Sequence, residues 1–362
     1  MVALTHNIVR QEKLEDCMQL PERPFYLFGM GQRRKLLYRD GVLSDLLTGE
    51  VIGQWDVASQ TIFPDEYSVL LETTTHESVN ICEDEEAVWL HEESYRRPLS
   101  MAPVKLPRFD SSWHGPVLRT LHQEILVNLM RPGPVPNLLV YDKPWYRHAA
   151  MVCMCLERTH NLHLVRDWAM GLTKPFDLNN GNPEPDNLGQ ALYMASLFAD
   201  AEHPVVEEVL DAQRQFRRDD YIVGLTDGAE HPVYQTKWMK FGLRSLGLSD
   251  PFRVPEIADS YSALFWMDYR DSHVACPPFS QQEGELYPYL GWAEAHFHGW
   301  TPPAWLSREG YPLTWEAQAG KARYEGMAPI GPDYVAARVA APHSWHAAEM
   351  FLYLLDQGRG TS

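Results

Sequence analysis

Lys143-Pro-Trp145-Tyr146-Arg147-His148-Ala-Ala-Met-Val-Cys-Met-Cys-Leu156 and Glu184-Pro-Asp186-Asn187-Leu-Gly-Gln-Ala-Leu-Tyr-Met-Ala-Ser-Leu197 follow one design. Each opens on a tight polar or charged cluster and runs into a segment that is apolar on every side. A helix without a polar face is buried all round. Its N-terminal end gathers free backbone N–H groups and the positive end of the dipole, so it can hold a functional group or an oxygen-rich ligand. Two such helices predict a pocket.

Outward from this stretch, helical periodicity holds over most of the chain after Trp113. Val117 to Leu129, Leu162 to Leu172 and Val205 to Phe216 read as amphipathic helices with charged outer faces. Between them stand apolar helices near 145–156 and 188–199, with further ones expected at Tyr261–Met267, Leu286–Phe297 and Trp345–Leu355. Half-exposed helices alternating with buried ones predict a two-layered (α/α) toroid, so the fold class expected is mainly α. Before it, short alternating segments separated by turn residues predict an N-terminal antiparallel β domain: Phe25–Phe28, Lys35–Tyr38, Val51–Val57, Tyr67–Leu71, Ser78–Cys82 and Ala87–Leu90. The prolines at 98, 103 and 107 make Arg97 to Trp113 an extended strap. The expected division is 1–105 for the β domain and linker and 106–362 for the toroid.

Composition narrows the function. The 362 residues are 45% hydrophobic, enough for a substantial core, and carry a formal charge of −18. That charge argues against a nucleic-acid partner, and the short Arg33-Arg34-Lys35 run reads as a solvated strand edge. The opening Met-Val-Ala-Leu-Thr-His-Asn lacks the pattern of a signal peptide, and no apolar run is long enough to span a bilayer, so a cytoplasmic protein without a membrane partner is expected. Cys17, Cys82, Cys153, Cys155 and Cys276 form no zinc spacing and read as reduced thiols. Gly29-Met-Gly31 lacks the third glycine of a nucleotide-binding loop and reads as turn geometry.

Parallel inner helices would bring their N-terminal polar clusters to one side. Those clusters are Arg147 and His148; Glu184, Asp186 and Asn187; Asp227, Glu230 and His231; Asp259 before Tyr261; Trp315 and Glu316; and His343, Trp345, His346 and Glu349. Any one of the acidic groups is explained by helix capping. Together with tryptophan they make the chemistry of a sugar site, where ring faces stack on aromatics and hydroxyls meet bidentate donors and acceptors. Nine of the twelve tryptophans lie in the helical region, and most of them serve a core equally well.

Trp145-Tyr146-Arg147-His148-Ala149 resembles the Trp-x-Arg-Asp-x-Ala motif of the six-hairpin glycosidase superfamily, whose glucoamylase-like members bind the non-reducing sugar with that Arg and Asp. Trp345-His-Ala-Ala-Glu349 resembles the Trp-x-x-Ala-Glu helix near the end of such domains, and the likeness extends over roughly residues 113 to 357. His148 stands where the motif has Asp, which changes a pure acceptor into an imidazole that donates or accepts. The resemblance implies a toroid and an inverting glycoside hydrolase with two carboxyl groups about 6.5–9.5 Å apart. It implies Glu184 or Asp186 as the general acid and Glu316 as the base, with Glu349 as substitute base. Trp145, Arg147, His148, Asn187, Glu230, His231, Tyr261, Trp315, His343 and His346 would line the substrate site. A small oligosaccharide or glycosylated metabolite is the expected substrate, and hydrolysis needs no cofactor.

Two further readings stand beside this one. His148, His231, His296, His298, His343 and His346 offer the acid/base pairs of a sugar epimerase or isomerase, and the departure at His148 fits a carbohydrate-binding protein without chemistry. The spacing of His343, His346 and Glu349 differs from His-Glu-x-x-His, so no metal is expected.

Overall fold

The computed structural model describes residues 25–93, 95–112, 114–257 and 311–357. The expected helices at Tyr261–Met267 and Leu286–Phe297, together with Asp259, Cys17, Cys276, His296 and His298, lie outside the described residues.

Nine strands open the chain: β1 (Phe25–Phe28), β2 (Leu36–Arg39), β3 (Val42–Asp45), β4 (Val51–Gln54), β5 (Val57–Phe63), β6 (Ser68–Thr73), β7 (Ser78–Glu83), β8 (Ala87–Glu92) and β9 (Tyr95–Met101). They form two antiparallel meanders, one of β1–β4 and one of β5–β9. Tyr26, Phe28, Leu36, Tyr38 and Leu43 share one apolar core with Val69, Leu71, Val79, Ile81, Val88 and Leu90. The alternate residues Phe25, Leu27 and Leu37 belong to the core built with the helices. Period-two alternation therefore places the first sheet between the second sheet and the helical layer, which is why all four residues of β1 are apolar and buried. The single strand expected over Val51–Val57 is divided: Val51–Gln54 is β4 of the first sheet, Val57 opens β5 of the second, and the chain turns between them at Trp55, whose backbone N–H donates to the Gly41 carbonyl. Part of the expected strap is β9, an edge strand that tolerates Pro98 beside a bulge at Val88/Trp89.

Arg33 and Lys35 are buried, which corrects their reading as a solvated edge. The Arg33 guanidinium donates to Glu83 at 2.9 Å, and Lys35 Nζ donates to the carbonyls of Gly29 and Gly31 at 2.5 and 2.6 Å. Glu83 also accepts from the N–H groups of Gly29 and Met30. Burial pushes the Lys35 ammonium down to about 7, against the pull of Glu83. Gly29, at φ +103°, has no room for a Cβ, which would lie 2.2 Å from the Arg34 carbonyl oxygen.

Eight α-helices lie among the described residues: α1 (Gly115–Val127), α2 (Tyr146–Arg158), α3 (Arg166–Met170), α4 (Asp186–Ser196), α5 (Pro204–Ala212), α6 (Pro232–Ser245), α7 (Pro332–Ala337) and α8 (Ser344–Gln357). Small hairpins interrupt them: β10 (Leu129–Met130) with β11 (Gly133–Pro134), β12 (Arg217–Arg218) with β13 (Tyr221–Ile222), β14 (Leu225–Thr226) with β15 (Ala229–Glu230), and β16 (Glu316–Ala317) with β17 (Val339–Ala340). Proline opens α5, α6 and α7 inside the first turn, where its missing N–H has no intrahelical partner to lose. The packing runs as a row, α1 on α8, α8 on α2, α2 on α4 and α4 on α6, with α5 against α4.

The expectation of a mainly α toroid is overturned. The chain is a mixed sheet-and-helix protein, no toroid is evident among the described residues, and the basis for the six-hairpin glycosidase resemblance goes with it. The physical reason lies in the outer layer. Val117–Leu129 is not half exposed, because its polar residues His122, Gln123 and Glu124 are buried against β1, α2 and the 311–315 segment. Leu162–Leu172 breaks into a 3-10 turn and the five-residue α3. Only α5 keeps the expected half-exposed character. No helix among the described residues is long and apolar enough to cross a membrane.

Candidate functional site

Four buried helices bring their first turns together, and Arg147 in α2 is the hub. Its Nε donates to Asp186 at 2.9 Å, Nη1 to Asp227 at 2.5 Å and Nη2 to Glu184 at 3.2 Å. A planar guanidinium with five donors can serve three carboxylates in one plane, which an ammonium cannot. Each carboxylate comes from a different local device. Asp186 is the first residue of α4, Glu184 sits between Pro183 and Pro185, and Asp227 is the first turn residue of the β14–β15 hairpin. That hairpin turns on Asp227 and Gly228, both at positive φ, the backbone form for which Asp-Gly is favoured.

The three differ in freedom. Asp186 is wholly buried and also accepts from Thr226 Oγ1 at 2.9 Å and Gln190 Nε2 at 3.0 Å, with the Tyr234 hydroxyl at 3.5 Å. Glu184 accepts from the Asp227 N–H at 2.7 Å and from Asn180. Burial raises its carboxyl, opposed by Arg147 and reinforced by the charge of Asp186. The Asp227 side chain is 41% exposed, so a water molecule or ligand can reach it.

Glu316 opens β16, near enough to Asp227 to feel its charge. Its Oε2 accepts a hydrogen bond from the Tyr141 hydroxyl, and its Oε1 lies 3.7 Å from His343 Nε2. Burial lifts the Glu316 carboxyl to about 7, with the Tyr141 hydrogen bond pulling down and the negative charge of Asp227 pushing up. A carboxyl near neutrality can give or take a proton at working pH.

Three histidines close the site. The His343 ring lies 4.2 Å from that of His346, tilted by 52°, and 5.1 Å from that of His148, edge to face, centre to centre. The His346 Nδ1 lies 2.7 Å from the Trp315 carbonyl oxygen, which fixes Nδ1–H as the tautomer. Burial pushes the His346 imidazole down to about 3, and it carries His148 and His343 well below their ordinary value, helped by Arg147 and the neighbouring imidazoles. Burial thus favours the neutral form of all three. His148 Nδ1 and both His343 ring nitrogens are buried without a hydrogen-bond partner among the described residues. Trp145 and Trp345 stand at 5.8 and 5.5 Å from His148, and the Arg147 guanidinium lies 5.6 Å over Trp345.

Of the residues expected from sequence, the structure gathers Trp145, Arg147, His148, Glu184, Asp186, Trp315, Glu316, His343 and His346. Asn187 is nearby in a structural role: its Oδ1 accepts from the Asp177 N–H, and Asp177 in turn accepts from the Tyr146 N–H that opens α2. Glu349 is buried one turn into α8, and its charge reaches Tyr234. Glu230 is exposed and paired with Arg218 at 3.2 Å, and His231 is the residue before α6. Tyr261 lies outside the described residues. Sequence reasoning missed Tyr141 and Asn180, and it counted Asp227 among the polar residues before a helix without giving it a role. Asp227 carried a signal, the Asp-Gly turn, which marks a hairpin and not a ligand; Tyr141 and Asn180 stand in loops with no periodicity to place them.

Among the described residues, no group of three or more His, Cys, Asp or Glu side chains is disposed to hold a metal ion. Cys82, Cys153 and Cys155 are free thiols. Compared with protein-family models, characterised proteins and solved structures, the chain finds no match in any of the three.

Proposed function

We propose that the protein is a carbohydrate-active enzyme, an inverting glycoside hydrolase acting on a small oligosaccharide or glycosylated metabolite in the cytoplasm. The observation that carries this reading is a pair of unlike carboxyl groups, near enough for the charge of Asp227 to act on Glu316. Glu316 is lifted to about 7 by burial, and Asp227 is exposed to solvent while anchored to Arg147. One group is ready to donate a proton while the other is ready to accept one.

In the proposed reaction, protonated Glu316 gives its proton to the glycosidic oxygen as the bond to the anomeric carbon breaks. Asp227 takes a proton from a water molecule that attacks that carbon from the opposite face. Water is added across the bond and the anomer is inverted. Tyr141 then stabilises the Glu316 carboxylate by donation. Trp145 and Trp345 offer apolar faces to a sugar ring, and the neutral His148 and His343 offer unpartnered nitrogens to its hydroxyls. This moves Glu316 from base to acid and gives the base to Asp227, to which chain position had assigned no role, because Asp186 is held by Arg147, Thr226 and Gln190 in the interior. The free thiols of Cys153 and Cys155 fit a reducing compartment.

A glycoside panel assayed with wild type, Glu316→Gln and Asp227→Asn tests the assignment. Both variants are expected to lose about 100-fold or more in kcat while keeping the fold. A wild-type rate in either removes that residue from the chemistry.

One observation favours a second reading. The three orphaned nitrogens of His148 and His343 also suit proton transfer to and from a sugar carbon, as in an epimerase or isomerase. Deuterium from heavy water in an otherwise intact sugar would mark that reaction.

A further inference from the structure

Helix α1 carries three consecutive buried polar residues that point to three different neighbours. His122 Nε2 lies 3.2 Å from Thr159 Oγ1 at the end of α2, and Gln123 Nε2 donates to the Leu27 carbonyl in β1 at 2.6 Å. Glu124 accepts from the Leu313 N–H and from the Thr314 hydroxyl. Successive residues of a helix project about 100° apart, so one turn anchors three separate elements.

The Glu124 link differs from the other two in what it holds. Leu313 and Thr314 immediately precede Trp315 and Glu316. Thr314 Oγ1 also accepts from the His343 N–H at 3.2 Å, at the entrance to α8. One wholly buried carboxylate thus ties together the two segments that carry the 3.7 Å pair of Glu316 and His343.

We propose that Glu124 is a positioning residue, which fixes the Glu316 carboxyl against His343 through Thr314. The proposal rests on the reading of Glu316 as the proton carrier. A carboxylate suits the position because its two oxygens accept from an N–H and an O–H at once, whereas an amide offers one acceptor and one donor. Loss of the knot frees the segment before Glu316, admits water to its carboxyl and misplaces the proton by a fraction of an ångström.

The test titrates the Glu316 carboxyl by carbon NMR in glutamate-labelled protein, with the signal assigned through Glu316→Gln. Glu124→Gln, Thr314→Val, the double variant and Thr314→Ser are compared with wild type. Thr314→Val breaks the same knot without altering charge and serves if Glu124→Gln does not fold. The expected result is a Glu316 midpoint about half a pH unit or more below wild type in each single variant, moving toward the ordinary carboxyl value. The double variant should go no further than the larger single one, and Thr314→Ser should restore the wild-type midpoint. On a turned-over substrate, kcat should fall about 10- to 100-fold in the Val and Gln variants with KM held within about twofold. A wild-type Glu316 midpoint in Thr314→Val, or additive shifts in the double variant, overturns the proposal. If Glu316→Gln retains turnover, the reading of Glu316 as proton carrier fails instead, and the titration still reports on Glu124.

Discussion

Glu316 Oε1 and His343 Nε2 stand 3.7 Å apart, the carboxyl raised to about 7 and the imidazole held neutral by burial. Because its folded-state pKa lies above the ordinary 4.5, Glu316 binds its proton more tightly in the native state than in the unfolded chain. The resulting stability is fully present below about pH 4.5 and is lost as pH rises through about 7. Glu316→Gln keeps an oxygen for Tyr141 and removes the titration. It should therefore gain on wild type between pH 5 and 8, by about 2 kcal/mol, measured by denaturant unfolding across pH.

The histidines bias stability in the opposite sense. With depressed folded-state values, His148, His343 and His346 favour the native state above about pH 6.5 and oppose it as pH falls, since the unfolded chain takes up protons that the folded one refuses. Replacing His148 or His343 with Gln should flatten the acid limb of the stability profile and lower the pH of acid unfolding. An unchanged acid limb in both variants would mean that these rings carry no such burden.

Arg147 is the cation on which Glu184, Asp186 and Asp227 converge. Arg147→Met leaves buried carboxylates without it and should cost about 3–5 kcal/mol. Arg147→Lys should recover only part of this, because one ammonium cannot reproduce the three-way fork. Urea unfolding of the two variants at pH 7 measures the difference, and equal stability of Lys and wild type would contradict the geometry.

Gly189 and Gly242 let α4 and α6 meet backbone to backbone. A Cβ at Gly189 would fall 2.0 Å from the Trp238 carbonyl carbon, and one at Gly242 would fall 2.4 Å from the Gly189 carbonyl oxygen. Backbone cannot yield as a flexible side chain can, so Gly189→Ala should lose about 2–3 kcal/mol and separate Asp186 from Tyr234. Thermal unfolding of Gly189→Ala checks this, with Gly320→Ala, where a Cβ meets nothing within 4 Å, as the sterically open reference.

What the sequence disclosed follows the range of the forces involved. Phe25–Phe28, Ser78–Cys82 and the apolar helices at Arg147 and Asp186 were legible because alternation and all-round apolarity are local signals. So was the convergence of polar helix starts that gathers Arg147, Glu184 and His343. The Arg33-Arg34-Lys35 run read as a solvated edge, and Val117–Leu129 as an amphipathic helix with a charged outer face, because the partners of Arg33, Gln123 and Glu124, namely Glu83, Leu27 and Thr314, are distant in sequence. A polar residue with a remote partner looks the same as one facing water. The toroid failed for the same reason: it required Val117–Leu129 to keep an outward face, and His122, Gln123 and Glu124, about 100° apart around that helix, are all buried. Asp227 was read only as one of the polar residues before a helix, since nothing local announces that Arg147 receives it.

The central claim is that Glu316 and Asp227 together hydrolyse a glycoside with inversion, and proton NMR in heavy water tests it most directly. Purified wild type and Glu316→Gln are incubated with a panel of glycosides and free sugars while the anomeric signals are followed from the first minutes. The account predicts a newly released sugar of inverted anomeric configuration from wild type and none from Glu316→Gln. Release at equal rates from both proteins, a retained anomer, or deuterium appearing in an intact sugar would contradict it.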